Sequence, residues 1–170
     1  MSTINASTIS RDLVCFSVGT LDDFDVGTNT SFEKKSILDT TRVHINKGGW
    51  TITSGNIFFP DTGYYVIGGS LYYHTVQADD TNDRVCVEMK FVNQTNVAEL
   101  SGSGSIAAMG YCRNLNSSGF SGPRNSSSMI TQIISINSGE KISVYIKRGA
   151  DFSHGCKIDQ QSCIWGFKLQ

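Results

Sequence analysis

The chain has 170 residues, of which 39% are apolar and only 17% charged, and its formal net charge is −1. A chain of this length fits one domain, with a core large enough to need neither metal nor disulfide. With no basic excess to neutralise phosphates, nucleic acid is not an expected partner, and no apolar stretch is long enough to insert in a bilayer.

Residues 1–11 form a polar leader without periodicity. Met1–Ser7 has neither the basic start nor the apolar run of a secretory signal, so the chain reads as made in a cytosol. The leader is expected to be an anchor, with Ile4 and Asn5 as its contact residues, and residues 12–170 to be the folded domain. Leu13–Val18 is a first strand. Leu21–Lys35 is mixed, Asp-rich and loop-like. Arg42–Asn46 is a short strand stopped by Lys47-Gly48-Gly49, and Trp50–Thr53 and Asn56–Pro60 follow, the latter ended by Pro60. Asp61-Thr62-Gly63 is a tight turn.

Tyr64–Thr75 is the longest strand. Tyr65, Ile67, Gly69, Leu71 and Tyr73 share one face, and Tyr64, Val66, Gly68, Ser70, Tyr72 and His74 the other. Both faces carry aromatics, so one is assigned to the core and the other to a partner. Arg84–Val92 alternates with Val85, Val87, Met89 and Phe91 inward, and Val97–Leu100 is a short strand. Ser101–Ser128 is a long Ser/Gly/Asn loop with a short strand near Ala107–Tyr111; Tyr111, Phe120 and Arg124 make it the candidate partner-binding loop. Ile134–Ile146 alternates on both sides of Asn137-Ser138-Gly139-Glu140. It reads as a strand–turn–strand hairpin with Ile134, Ile136, Ile142, Val144 and Ile146 inward. Gly149–Gln161 is the last loop and Cys163–Leu169 the last strand. No window shows helical periodicity, so the chain is all-β.

Five cysteines match no zinc spacing. Cys15 and Cys86 read as small apolar strand residues, and Cys156 and Cys163 flank a loop across which an oxidising environment would let them pair; mostly free thiols are expected. Five glycosylation sequons, at Asn5, Asn29, Asn93, Asn116 and Asn125, carry little weight without a secretory signal. His44 reads as a surface or interface residue, and Asp22, Asp23 and Asp25 as a solvated turn rather than a calcium loop. His154, Cys156 and Cys163 lack a fourth zinc ligand. No nucleophile–base set or phosphate loop is present, so neither catalytic residues nor a metal or other cofactor are assigned and the chain is read as non-enzymatic.

Three blocks together resemble the C1q/TNF-like family. They are Phe59–Ile67, similar to the family's Pro-x-x-Gly-x-Tyr block; Ile134–Ile146, similar to its strand–Gly-Asp–strand block with Glu140 for Asp; and Ile164–Leu169, similar to its Phe-x-Gly-x-x-Leu ending. The resemblance implies a two-sheet antiparallel jelly-roll sandwich of ten strands, assembled as a homotrimer. Tyr64, Val66, Tyr72 and His74 are then candidate trimer-interface residues. Domains of this kind also occur on phage and other virus particles. The expected function is a virion decoration or fibre-type protein, bound to a major capsid or tail protein and contacting a host-surface glycan or protein. The alternative is a secreted, extracellular C1q-like recognition module that binds protein or glycan.

Overall fold

The computed structural model describes residues 13–27, 29–75, 84–85, 87–95, 98–99, 112–113, 126–148 and 156–169, with side chains for all but 74–75, 84–85, 98–99, 112–113 and 126–130. Every regular element among them is a strand. The larger sheet holds β1 (Cys15–Thr20), β2 (Phe24–Gly27), β4 (Leu38–Lys47), β7 (Gly63–Thr75), β12 (Ser126–Ile136), β14 (Cys156–Ile158) and β15 (Cys163–Lys168). The smaller sheet holds β3 (Glu33–Lys34), β5 (Thr51–Ile52), β6 (Ile57–Phe58), β9 (Val87–Asn93), β10 (Ala98–Glu99) and β13 (Lys141–Arg148). A separate pair joins β8 (Arg84–Val85) to β11 (Cys112–Arg113). The two sheets, antiparallel throughout, form the expected sandwich.

Alternation decides which side chains lie between the sheets. Tyr65, Ile67, Leu71 and Tyr73 of β7 are buried, as are Val87, Met89 and Phe91 of β9, and Ile134, Ile136, Ile142, Val144 and Ile146 are buried as their period requires. At one end Trp50 packs against Phe16, Phe59 and Tyr65, with ring centroids 4.5, 5.0 and 5.4 Å away. The Tyr65 hydroxyl leaves this cluster by donating to the Asp61 carbonyl at 2.7 Å.

The hairpin expected over Ile134–Ile146 is instead a corner between sheets. β12 runs beside β7 in the larger sheet, from Ser126 opposite Tyr73 to Ile136 opposite Gly63, whereas β13 pairs with β9, β6 and β3 in the smaller one. Alternation reports the buried face but not the hydrogen-bonded neighbour, so it suits either arrangement. The corner is braced from outside. Ser138 N donates to Thr62 Oγ1, Ser138 Oγ to the Pro60 carbonyl and Gly139 N to the Phe59 carbonyl. Glu140 Oε2 accepts from Asn137 N at 2.7 Å, and Gly139 supplies the left-handed residue at φ 78°. The Phe59–Ile67 block and the Gly139-Glu140 turn therefore build one joint.

Other expectations shift in detail. Fifteen strand segments occur among the described residues, where ten strands were expected. Two lie in the stretch read as the Leu21–Lys35 loop and one in the Gly149–Gln161 loop. Each is too short to show a period, and Val26 and Ile158 are the buried anchors of β2 and β14. β4 is ten residues long rather than five, because register shifts against β1 break its alternation. β12 begins at Ser126, inside the expected loop end. The expected strand near Ala107–Tyr111 lies outside the described residues.

The ending block has a steric role. A Cβ on Gly166 would lie 2.5 Å from Ile67 Cδ1, 2.7 Å from Phe16 Cε1 and 2.9 Å from the Val66 carbonyl oxygen. Backbone cannot retreat as a side-chain tip can, so Gly166→Ala is expected to lower stability by about 1–3 kcal/mol, read from the urea midpoint.

Candidate functional site

The two sheets present different chemistry to the outside. On the larger sheet the register lines up outward side chains across strands. One row runs Ile133, Val66, Phe167, Cys15, Lys47, and the next Thr131, Gly68, Trp165, Ser17, Ile45. Tyr64 lies one step beyond the first row, opposite Ser135. Charge enters these rows only at Lys47 on the edge strand β4; Arg42, also on β4, reaches in to cover Gly19 and donates to the Gln160 carbonyl at 2.6 Å. The rest of the two rows is aromatic, aliphatic or uncharged, with Thr131 and Ser17 as the hydroxyl side chains.

Local packing makes this face flat. Gly68 has no side chain, and the Trp165 ring lies where its Cβ would be. Trp165 is stacked parallel to Phe167, with planes 8° apart and centroids 6.4 Å apart. Tyr64 is 63% and Ile133 64% exposed, which is high for large apolar side chains beside half-buried Trp165 and Phe167. A contiguous apolar patch of this kind marks an interaction surface.

Of the residues expected on the outward side of β7, Tyr64 is 63% exposed and Val66 only 9%. Tyr64, Val66 and Tyr72 lie on this face, and Tyr72 is tied down where β14 gives way to β15, its N–H donating to Ser162 Oγ at 2.7 Å. His74 is on β7 with its backbone opposite Lys157, but its side chain lies outside the described residues. So do Ile4 and Asn5 of the leader and Tyr111, Phe120 and Arg124 of the long loop. Ile133, Trp165 and Phe167 were not picked out from the sequence. The signal was there: if Ile134 and Ile136 point inward, Ile133 points outward, and Trp165 and Phe167 alternate about Ile164 and Gly166.

The thiols follow the same geometry. Cys163 carries a free thiol on the outward face, whereas Cys156 is fully buried on the inner side, so the pairing considered for them is not made. Cys15 is also a free thiol and faces outward beside Phe167 on strand β1. Burial pushes the Cys163 thiol up, against a smaller downward pull from its backbone hydrogen bond with Ser70. The thiolate is the reactive form, so Cys163 in the folded protein is expected to react with iodoacetamide at pH 8 more slowly than in the urea-unfolded chain. Equal rates would contradict this placement.

The candidate metal and acid–base residues are dispersed. Asp22 and Asp23 are exposed, and Asp23 pairs with Lys157 at 2.9 Å, which holds the Lys157 ammonium above its usual range. His44 is exposed on β4, and His154 lies outside the described residues. Among the described residues no three His, Cys, Asp or Glu side chains gather as ligands. Of the sequons, Asn93 is buried and its Oδ1 accepts from Thr95 N at 2.9 Å, whereas Asn29 is exposed.

This architecture defines a TNF-like jelly roll. The chain is similar in structure to the Eiger TNF protein of S. frugiperda, at 14% identity and TM-score 0.52, over 94% of each chain. It is similar also to murine APRIL, at 13% identity and TM-score 0.55, over 94% of this chain and 100% of that one. No protein-family model matches the sequence, and no curated protein does. At these identities the likeness is one of fold.

Proposed function

We propose that the protein is a non-enzymatic assembly and attachment module that works as a homotrimer on a virus particle. The observation that carries the assembly is the uncharged stretch of the larger sheet's outer face that runs from β12 over β7 and β15 to β1, where Tyr64 and Ile133 stand more than 60% exposed beside Trp165 and Phe167. A second copy is the occupant that suits it: three copies turning the same face toward one axis cover all three patches by a single contact, and closed symmetry limits growth. The fold likeness supports the same arrangement. Charge on this face sits at its borders, at Lys47 of the edge strand β4 and at the Lys157–Asp23 pair at the β14 end, which leaves the centre of the contact free of charge desolvation.

The virion setting is supported by the free thiols of Cys15 and Cys163, which fit synthesis in a reducing compartment. In this reading residues 1–11 hold the trimer to a capsid or tail protein. The sandwich faces outward, and three weak contacts per trimer combine into avid adhesion to a host surface. Deleting residues 1–11 is expected to leave the trimer intact and to abolish co-sedimentation with particles. Retained co-sedimentation contradicts the anchor. Titration of denatured, unreduced protein is expected to find all five cysteines as thiols; disulfides would favour the secreted recognition module instead.

A further inference from the structure

With the larger sheet turned toward the trimer axis, the outer face of the smaller sheet is the surface on display, and it has the opposite chemistry. Tyr145 on β13 is the direct partner of Lys34 on β3 and of Lys90 on β9, so Lys34, Tyr145 and Lys90 form one outward row across three strands. In the next row Lys147 stands opposite Glu88 and pairs with it at 3.0 Å. Further along, Lys141 stands opposite Phe58. Among the described residues four lysines thus share a face by register with two glutamates, Glu88 and Glu99, the latter opposite Val92, in a chain whose net charge is −1.

These ammonium groups are seated on rings. Lys90 Nζ lies 4.4 Å and Lys147 Nζ 4.8 Å from the centroid of Phe32, and Lys141 Nζ lies 5.5 Å from that of Phe58. The Lys34 ammonium donates to Asn56 Oδ1 at 2.9 Å, and Asn56 is held in turn by Ser143 Oγ at 2.8 Å. A long lysine side chain usually loses rotamer freedom when it binds; here much of that ordering is already in place.

We propose that this face binds an acidic glycan, a linear chain of sulfated or carboxylated sugars. This rests on the host-adhesion reading above and names its ligand class. Charge complementarity selects an anion. Lys34 and Lys90 are two strands apart, about 10 Å, which suits anionic groups repeated once per disaccharide on an extended chain lying across the strands. Sugar suits this face better than bases, because the Lys90 and Lys147 ammonium groups already sit on the Phe32 ring and that of Lys141 on Phe58, and the half-buried Tyr145 hydroxyl accepts from Gln94 Nε2 at 3.2 Å.

The test uses the full-length protein with dextran sulfate as probe, and neutral dextran and single-stranded DNA of matched charge as comparisons, by isothermal titration at physiological salt. Dextran sulfate is expected to bind, neutral dextran not to bind, and DNA to bind more weakly than dextran sulfate. Lys34→Gln with Lys90→Gln is expected to weaken dextran sulfate binding by about tenfold or more. Lys141→Gln, made separately, is expected to weaken it less, and Lys47→Gln on the larger sheet to leave it unchanged. No binding, or binding unaffected by the lysine substitutions, overturns the site; DNA binding as tight as dextran sulfate assigns the face to nucleic acid and overturns it too. Light scattering on the same samples separates the two readings. A trimer that ignores dextran sulfate removes the site and keeps the assembly; a monomer that binds it through these lysines does the reverse.

Discussion

Tyr64→Asp combined with Ile133→Asp should leave the sandwich folded and turn the assembled protein into monomers. Both side chains are mostly exposed in the single chain, so the change costs the isolated fold little. In the assembly the same positions are desolvated, and each carboxylate is buried without a cation nearby. Such an unpaired buried charge costs several kcal/mol, and symmetry repeats it at every contact. The expected outcome is loss of the trimer peak by sedimentation velocity with an unchanged circular dichroism spectrum. The control is Lys47→Gln at the edge of the same sheet, which should assemble normally. A double-aspartate protein that still assembles would show that another surface holds the copies together.

Trp50→Ala should have the largest effect on folding itself. Trp50 is only 3% exposed and is the hub of the Phe16, Phe59 and Tyr65 cluster. The cluster sits where Phe16 of β1 in the larger sheet meets Phe59, just beyond β6 in the smaller one. Loss of the indole removes contacts to both sheets together and leaves a cavity that surrounding strands cannot collapse. The expected cost is about 3–5 kcal/mol, a large share of the stability of a domain this size, seen as a lower urea midpoint with a similar slope. A loss below about 1 kcal/mol would mean that the cluster repacks around the gap.

Much of the fold was legible because alternation is a local signal with a global consequence. Val87, Met89 and Phe91 were read as inward from β9 alone, and so were the five apolar residues around Gly139; all are buried. The same signal failed where it carries no information. It does not name a strand's neighbour, so Ile134–Ile146 read as a hairpin although its halves belong to different sheets. It is also silent in strands of two to four residues such as β2, β3 and β14, which are held by one or two buried residues or by their neighbours' ladders. The apolar outer face of the larger sheet was half legible. Tyr64, Val66 and Tyr72 emerged because both faces of one long strand carried aromatics. Ile133, Trp165 and Phe167 belong to strands whose inward residues drew the attention, and only the register sets them beside Val66 and Gly68. The lysine face depends on three strands distant in sequence, so no single segment announced it.

The assembled state of the native protein is the property on which the proposed role of the larger sheet depends. Size-exclusion chromatography with multi-angle light scattering, on full-length protein at micromolar concentration, measures it without reference to shape. The expected molar mass is about three times the 18.5 kDa of one chain. A single species at the mass of one chain would contradict it, leaving the exposed Tyr64 and Ile133 without the contact that the rest of the face is arranged to make.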